Sequence, residues 1–298
     1  MSMHRDHHTL LASAIVLATG VLWGVYWLPV RALGEMGLAG AWGTAAITAA
    51  TMAILLPAAV RDRRQLARTP PVVLVSIALG GAAFALYSIG FLYGRVAIII
   101  LLWFLSPVWS TLIGRYLMGW PTPGLRIVAI VLGLAGLTIM LGADGTLPLP
   151  RGTGEWMSLI GGILWSFSTT GIRARSTLTA LPSTFVFALG AAVTALVLAP
   201  ALEPLPTLTS PQVVTMTGLA LLTGGLWWGL TLVGLMWAAV RLEPARVSIL
   251  LMTEVLVGAV SAALFADETL TGVEMAGGAI VLVAGVLEVL PARSPRTA

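Results

Sequence analysis

The chain has 298 residues, 58% of them hydrophobic and only 9% charged, and its formal net charge is +4. A soluble domain of this length needs far more polar surface, so the composition excludes one. The sequence contains no cysteine and no lysine, which excludes disulfides, thiolate nucleophiles, Schiff-base chemistry and Walker-type phosphate loops.

Long apolar runs, separated by short segments with arginine, proline or glycine, predict an all-α polytopic membrane protein. The first run follows Arg5 and three histidines. At about 20 residues it exceeds the core of a typical signal peptide, so we interpret it as a membrane helix. Ten runs are long enough to cross a membrane, and they cover residues 9–30, 40–60, 70–93, 96–118, 125–142, 154–172, 183–202, 212–238, 243–265 and 270–290.

Arginine placement tests this count of spans. If the N-terminus is cytoplasmic, 13 arginines lie in segments predicted to face the inside and 3 lie outside. This bias satisfies the positive-inside rule. We therefore predict ten helices in the cell (inner) membrane, with both termini cytoplasmic. The sequence has no basic patch with interleaved aromatic residues, so we expect no nucleic-acid partner.

The two halves of the chain carry similar segments 142 positions apart. Trp23 is followed eight residues later by Arg31, and Trp165 is followed by Arg173 at the same spacing. Because five spans per half is an odd number, the second copy enters the membrane from the opposite side. We therefore predict two inverted five-helix repeats, residues 1–145 and 146–298, with a binding site between them.

The duplication extends into the later spans of each half. Pro107 in the fourth span is followed 13 residues later by Trp120, and Val255 in the ninth span is followed 13 residues later by Glu268. A proline inside a span removes a backbone hydrogen bond, so we expect a kink at Pro107. Both halves close with a glycine-bearing helix. We expect these glycines to serve close helix packing, with a dimer face as the alternative.

Three short motifs carry a resemblance to a known family: Trp23-Gly24 with Arg31, Pro107 in the fourth span, and residues 266–271, whose sequence ADETLT is similar to a Gly-Glu-x-Leu-Thr turn. On these residues the chain resembles the drug/metabolite transporter (DMT) superfamily, in particular its EamA-like ten-helix exporters. In overall character it is most similar to bacterial amino-acid exporters of the YddG type. The chain departs from the family at Trp120, where a turn glutamate is usual, and at Val255, where proline is frequent. The resemblance implies a central cavity formed by spans 1, 3, 4, 6, 8 and 9.

Glu254 lies near the middle of the ninth span, where a charge costs about 2.5–3.5 kcal/mol on insertion scales. Such residues usually face a cavity and serve a function. Two roles are open: a proton-coupling carboxyl, and an acceptor for the ammonium group of a substrate. The structural alternative is a carboxyl that bonds neighbouring hydroxyls and holds helices together.

Tryptophan is abundant, with 11 residues against 4 tyrosines, and several lie too deep for an interfacial belt. Their rings suit a substrate with a flat or apolar part. Polar residues follow some of them at helical spacing, as Tyr26 follows Trp23 by three. For any single residue, interhelical packing or a bond to its own helix is the alternative. The predicted substrate-binding residues are Trp23, Tyr26, Trp27, Tyr87, Trp103, Ser106, Pro107, Trp165, Ser168, Trp228 and Glu254.

Two arginines mark the ends of equivalent spans. Arg31 lies at the predicted outer end of the first span, and Arg173 lies at the predicted inner end of the sixth. We expect both to anchor their helices with side chains that reach the lipid headgroups. A gate role is the alternative.

These features together predict a secondary transporter that exports small organic solutes by alternating access through a central cavity. Amino acids with aromatic or apolar side chains are the expected substrates, and proton coupling stays open. A drug, nucleobase or sugar-derivative exporter of the same build is the alternative within transport. A membrane-embedded enzyme would need several acidic or histidine residues converging in the bilayer, and a passive channel would as a rule lack inverted halves. Beyond the substrate and the lipid bilayer we expect a monomer or weak dimer, with no cofactor and no metal.

Overall fold

A computed structural model of the chain describes residues 2–119, 124–145, 147, 149–175, 178–239, 241–242 and 244–289. These ranges contain α-helices and one π-helical segment, and no strand, which confirms the all-α class. Trp120, at one departure from the family pattern, lies outside the described residues. So does the side chain of Arg173, which was predicted to be an anchor.

The helices follow the order of the predicted spans. Those up to residue 145 are α1 (Ser2–Gly24), α2 (Trp27–Glu35), α3 (Trp42–Arg61), α4 (Arg63–Arg68), α5 (Pro71–Gly90), α6 (Val96–Trp103), α7 (Ser106–Tyr116) and α8 (Gly124–Leu141). The later ones are α9 (Thr153–Arg175), α10 (Ala180–Leu202), α11 (Ser210–Thr223), the π-helical segment (Gly224–Leu230), α12 (Thr231–Ala239), α13 (Pro244–Leu251), α14 (Thr253–Phe265) and α15 (Gly272–Val289).

The chain is a multi-pass membrane protein with seven candidate spans among the described residues. Each is at least 18 residues long and apolar enough to cross a bilayer. They are Thr9–Glu35, Trp42–Arg61, Pro71–Gly90, Val96–Tyr116, Gly124–Leu141, Ala180–Leu202 and Ser210–Ala238. These seven correspond to predicted spans 1 to 5, 7 and 8.

The three other predicted spans correspond to α9, to α13 with α14, and to α15. The helix α9 is long enough, but its serine, threonine, glycine and tryptophan residues keep its mean hydropathy below that of the seven. The ninth predicted span is divided into two short helices, and only its second part and α15 are apolar helices of intermediate length. Ten membrane passes therefore stay a prediction.

Proline accounts for two of the helix breaks. Pro29 lies in the first turn of α2, and Pro107 lies in the first turn of α7. Proline lacks an N–H, and its ring clashes with the carbonyl four residues earlier, so α-helical bonding cannot continue through these positions. Before Pro29 the chain makes a tighter turn, in which the N–H of Tyr26 donates to the carbonyl of Trp23 at 3.1 Å. The kink predicted at Pro107 is confirmed.

A third break occurs at Met252, where no proline is present. The hydroxyl of Thr253, the first residue of α14, donates across the break to the carbonyl of Leu250 in α13. In the duplicated pattern this break matches the one before Pro107. The predicted ninth span therefore breaks at the position that matches the break before Pro107, although Val255 stands in place of proline.

The closing helices of the two halves, α8 and α15, pack against each other through glycine. A methyl group on Gly136 would lie 2.7 Å from the carbonyl oxygen of Gly277, and one on Gly277 would lie 2.7 Å from that of Gly136. Only residues without a side chain allow two backbones to approach this closely. The predicted packing role of these glycines is confirmed for this pair, and it lies within one chain.

Candidate functional site

A cluster of aromatic rings surrounds Phe84 in the middle of α5. The rings in contact with it belong to Trp23, Tyr26, Tyr87, Trp103, Phe187 and Trp228, and we call these with Phe84 the ring cluster. Their centroids lie between 5.0 and 6.1 Å from that of Phe84. Phe84 is only 2% exposed, so the cluster is closed to solvent. Five of its members are predicted substrate-binding residues, which the structure brings together.

Glu254 meets this cluster through Tyr87. It lies in the first turn of α14, directly after the break at Met252, and it is 1% exposed. The hydroxyl of Tyr87 donates to its Oε1 at 2.7 Å, and the ring of Trp103 stacks on Tyr87 with 4.7 Å between centroids. This arrangement therefore places the acidic group of Glu254 beside aromatic rings.

Tyr26 occupies the break between α1 and α2, and it joins three other segments by hydrogen bonds. Its hydroxyl lies 2.8 Å from the hydroxyl of Ser88, and it accepts a bond from the indole N–H of Trp228 at 2.9 Å. Ser88 in turn lies 2.9 Å from the hydroxyl of Thr44. This buried chain connects α3, α5 and the π-helical segment at one depth. It satisfies polar groups that would otherwise be costly to bury.

The π-helical segment is bonded to the break in the first span. The indole N–H of Trp227 donates to the carbonyl of Leu22 at 2.6 Å, and that of Trp23 donates to the hydroxyl of Thr231 at 3.0 Å. Single π turns inside longer helices are frequent at functional sites. A π turn contains one residue more than an α turn. The adjacent indoles of Trp227 and Trp228 can therefore both donate hydrogen bonds to the region around the break.

Trp27 lies apart from the ring cluster, although it is a predicted substrate-binding residue. Its indole N–H donates to the hydroxyl of Ser261 at 3.0 Å, and that hydroxyl donates to the carbonyl of Gly24 at 3.1 Å. The guanidinium of Arg31 lies 5.0 Å from the centroid of the Trp27 ring. Trp27 therefore lies between the cluster and the end of the helices that is predicted to face outside, which we call the outer end.

The remaining predicted residues lie on α7 and α9. Trp165 contacts Trp103 with 5.5 Å between ring centroids, which places it at the edge of the cluster. The carbonyl of Ser106 accepts a bond from the hydroxyl of Ser166 at 2.7 Å, and Pro107 follows in the same turn. Ser168 is fully buried, and its hydroxyl has no hydrogen-bond partner among the described residues. A methyl group on Gly80 would lie 2.5 Å from the hydroxyl of Ser168 and 3.1 Å from the ring of Phe187, so Ser168 lies at the edge of the ring cluster. Among the described residues, Ser106 and Pro107 have no ring contact with the cluster.

Sequence reasoning missed Phe84 and Phe187, which link the tryptophans to one another. Their rings are 6.1 Å apart, and Phe187 also contacts Trp165 and Trp228. A phenylalanine in an apolar span has no polar atom to distinguish it from ordinary core. No signal in a single sequence would therefore have selected them. Within the described ranges, no three His, Asp or Glu side chains are grouped as metal ligands.

At the outer end, Arg31 is held by the protein. Its side chain donates to the carbonyl of Phe91 at 2.9 Å, to that of Gly94 at 3.0 Å and to Oε1 of Glu268 at 3.1 Å. The two charged side chains are 26% and 10% exposed, so the ion pair is partly buried. These protein partners hold the side chain of Arg31 in place, and its contact with the lipid headgroups stays a prediction.

Two further contacts lie at the same end. Arg95 forms an ion pair with Glu274, and the hydrogen bond that its guanidinium donates to that carboxylate raises the pKa of the guanidinium. The hydroxyl of Tyr93 donates to Glu203 at 3.1 Å. Burial, together with this carboxylate, raises the pKa of Tyr93 to about 12. Arg31, Tyr93 and Glu203 line an open cavity of 360 Å³.

No family model and no curated protein matches the chain. Among solved structures, one described only as a crystal structure of a protein superposes with a TM-score of 0.61. The alignment covers 95% of this chain and 97% of that chain at 18% sequence identity. The two proteins therefore share a fold, and this identity is too low to carry over an activity.

Proposed function

We propose that this protein is a secondary transporter that exports small organic solutes, with amino acids of aromatic or apolar side chain as its substrates. The observation that carries the proposal is the bond between Tyr87 and Glu254 inside the ring cluster. It sets one buried carboxyl against an apolar, aromatic surface in the middle of a membrane protein. Ionisable groups at such depth usually serve transport or proton relay.

The proposal includes ten spans in two inverted repeats of the EamA-like type, residues 1–145 and 146–298. Equivalent helices of inverted repeats must run in opposite directions. Three such pairs are in contact, and each is antiparallel. The indole N–H of Trp42, at the start of α3, donates to the carbonyl of Glu203, after the end of α10. In α8 and α15 Gly136 packs on Gly277, whereas Gly133, one turn earlier in α8, lies beside Ala284, two turns later in α15. The N–H of Val96, at the start of α6, donates to Glu268, after the end of α14. This arrangement supports a two-fold axis in the membrane plane.

Glycine contacts give independent support for the repeat. A methyl group on Gly20 would lie 3.3 Å from the carbonyl oxygen of Leu250. A methyl group on Gly162 would lie 3.5 Å from the carbonyl oxygen of Leu102. Gly20 and Gly162 are 142 positions apart, and Leu102 and Leu250 are 148 positions apart. These are the spacings of the duplicated sequence patterns. The same close approach therefore recurs between the first and ninth spans and between the sixth and fourth.

A second pair of glycines repeats the pattern. Gly81 in α5 abuts the carbonyl of Phe187 and the N–H of Ala191 in α10. Gly224, at the start of the π-helical segment, abuts the carbonyl of Ile47 and the N–H of Thr51 in α3. Each glycine meets a carbonyl and the N–H four residues further on. The third span thus packs on the seventh in the same way as the eighth packs on the second. The third and eighth spans are equivalent in the two predicted repeats, as are the second and seventh, so the contacts fit inverted repeats.

The site offers chemistry for an amphipathic amino acid. The ammonium group would take the place of the Tyr87 hydroxyl on Glu254, and an apolar side chain would lie against the rings. Aromatic contacts of this kind contribute about 0.5–1.5 kcal/mol each. A charge-assisted bond to the carboxylate contributes about twice as much as a neutral one. The same carboxyl could instead carry a coupling proton, and both roles would be lost in Glu254→Gln.

Alternating access would use the three helix breaks. Tyr26 lies in the break of the first span, Trp103 directly precedes that of the fourth, and Glu254 closely follows that of the ninth. Broken helices at the midplane are how many transporters form a site that opens to each side in turn. Because the ring cluster is closed to solvent, loading requires the two halves to separate around it.

Two alternatives differ in the substrate or in the class of activity. A drug or nucleobase exporter would use the same rings and treat Glu254 as a general cation acceptor. A membrane-embedded enzyme would need a second reactive group beside Glu254. Tyr87 is the hydrogen-bonding partner that the structure gives this carboxyl, which favours binding over catalysis.

A solute screen tests the proposal. The purified protein is reconstituted in liposomes, and uptake of amino acids, nucleobases, sugar derivatives and cationic drugs is measured with and without a pH gradient. We expect saturable uptake of aromatic or large apolar amino acids. Uptake that responds to the gradient would assign proton coupling. No uptake above that of empty liposomes for any solute would refute the proposal.

A further inference from the structure

Charged contacts at the outer end of the molecule join the first half to the second. Arg31 of α2 pairs with Glu268, which lies between α14 and α15. Glu268 also accepts bonds from the backbone N–H groups of Val96 at 2.9 Å and Ala97 at 3.3 Å. One carboxylate therefore connects the first span, the start of the fourth span and the turn after the ninth. We call Arg31, Glu268 and the start of α6 the outer latch.

The position of Glu268 is well suited to hold this closure. The start of α6 presents free N–H groups and the positive end of the helix, both of which favour a carboxylate. Bonds in which one partner is charged are about twice as strong as neutral ones. Since Glu268 is only 10% exposed, water screens the contacts weakly. Breaking the outer latch would leave a partly buried carboxylate and a partly buried guanidinium without partners.

Other contacts at the same end act in the same direction. Arg95, which directly precedes α6, pairs with Glu274 at the start of α15, and its Nη2 donates to the carbonyl of Thr269 at 2.7 Å. These bonds also run from the first half to the second. They fix the turn that carries Glu268. The outer latch is therefore held in place by its surroundings.

The sequence of the other half lacks the same group. The spacing of 148 that matches Pro107 with Val255 also matches Trp120 with Glu268. The first half thus has an indole where the second half has the latch carboxylate. An inverted repeat with equal latches would have no preference between its two faces. At this position of the duplicated pattern, the second half has a carboxylate and the first half has an indole.

We infer that the outer latch sets the resting state of the transporter, holding the empty protein closed at its outer end. The inference rests on the proposed function for its meaning in transport, and it assigns Glu268 and Arg31 as positioning residues. Opening to the outside would require the carboxylate to leave both Arg31 and the start of α6. For an exporter, this bias returns the empty site to the cytoplasmic side, where substrate is loaded.

Thiol labelling from the outside tests the outer latch directly, because the chain has no native cysteine. The reporter is Ser261→Cys, a near-isosteric change at a residue that is 4% exposed and lies two turns below Glu268. Intact cells are treated with a membrane-impermeant maleimide, and the labelling rate is measured. We expect slow labelling of the reporter alone. Rapid labelling of that protein would overturn the inference.

The latch variants are then added to the reporter. We expect Glu268→Gln and Arg31→Gln each to raise the labelling rate about tenfold, which corresponds to about 1.4 kcal/mol. The labelling rate of the double variant should be close to that of each single variant, because the two substitutions break the same contact. Glu35→Gln is the matched control, since it removes one charge from the exposed end of α2. It should leave the rate unchanged.

Unchanged labelling in Glu268→Gln, or an equal rise in Glu35→Gln, would overturn the inference. Unchanged elution in size-exclusion chromatography identifies the folded variants. Full labelling in denaturant shows that the reporter thiol of each variant is reactive. If Glu268→Gln does not fold, Arg31→Lys replaces it, because lysine keeps the charge but has one nitrogen in place of the separate Nε and Nη2 that bond Phe91, Gly94 and Glu268. The assay needs no substrate. A rise in labelling without any solute uptake would support the outer latch and refute transport. Solute uptake with unchanged labelling would support transport and refute the outer latch.

Discussion

The hydroxyl of Tyr87 lies 2.7 Å from Oε1 of Glu254 and joins a helix of the first half to a helix of the second. Both residues are buried, and the ring of Trp103 covers the tyrosine. This contact is where the aromatic surface and the acidic group of the molecule meet. The predictions below concern this contact and the helices that hold it.

Tyr87→Phe removes the donor on which Glu254 depends. A buried acceptor without its donor costs about 1–2 kcal/mol in a membrane protein, so we expect a lower unfolding temperature. Thermal unfolding in detergent measures the change. Tyr116→Phe is the matched control, because that side chain is 75% exposed. Equal effects of the two substitutions would show that the bond to Glu254 does not stabilise the fold.

Gly136→Ala places a methyl group against the carbonyl of Gly277 and should push α8 away from α15. Overpacking of this kind costs about 1–3 kcal/mol. Gly218→Ala is the control, since nothing lies within 4 Å of its added methyl group, and there alanine should stabilise α11 slightly. Thermal unfolding of both variants compares them. A Gly136→Ala protein as stable as the parent would contradict the packing described for the closing helices.

Trp103→Leu should change the preference among substrates. The indole stacks on Tyr87, and its loss removes a flat surface from the site while keeping an apolar one. We expect uptake of aromatic amino acids to fall about fivefold relative to uptake of leucine, as expected for one ring contact of about 1 kcal/mol. Trp156→Leu, at a side chain that is 45% exposed, should leave the ratio unchanged. A constant ratio in Trp103→Leu would exclude this ring from the substrate site.

The inverted repeat makes a prediction about sidedness. Leu147 and Leu205 are 76% and 74% exposed and follow α8 and α10, and the ten-span topology puts both outside. Single cysteines at either position should react with an impermeant maleimide on intact cells. A cysteine at Arg64, which precedes α5, should react only after the membrane is opened. Leu147 and Leu205 on opposite faces would contradict the topology.

The sequence predicted the membrane class and most of the spans because apolar length is a local property. It also predicted the break at Pro107, since proline acts on its own helix. The break at Met252 was not predictable in this way. The hydroxyl of Thr253 bonds the carbonyl of Leu250 across this break, but Thr48 and Thr51 make similar bonds inside α3 without any break.

Contacts between distant segments were the least predictable part of the site. The bond between Arg31 and Glu268 was not predicted, because the two residues lie 237 positions apart in the chain. Phe84 was not singled out, although it contacts six other rings. The tryptophans and Glu254 were identifiable because each places a polar group at unusual depth. Which of them meet is decided by helix packing across the two halves.

Transport by the Glu254→Gln protein, compared with the parent in liposomes, tests the central claim most directly. Glutamine keeps the shape of the side chain and its bond to Tyr87, but it can neither hold an ammonium group by charge nor release a proton. We predict saturable amino-acid uptake by the parent, and for the variant a fall of at least tenfold together with loss of any response to a pH gradient. An unchanged rate with unchanged gradient dependence would contradict a functional role for this carboxyl.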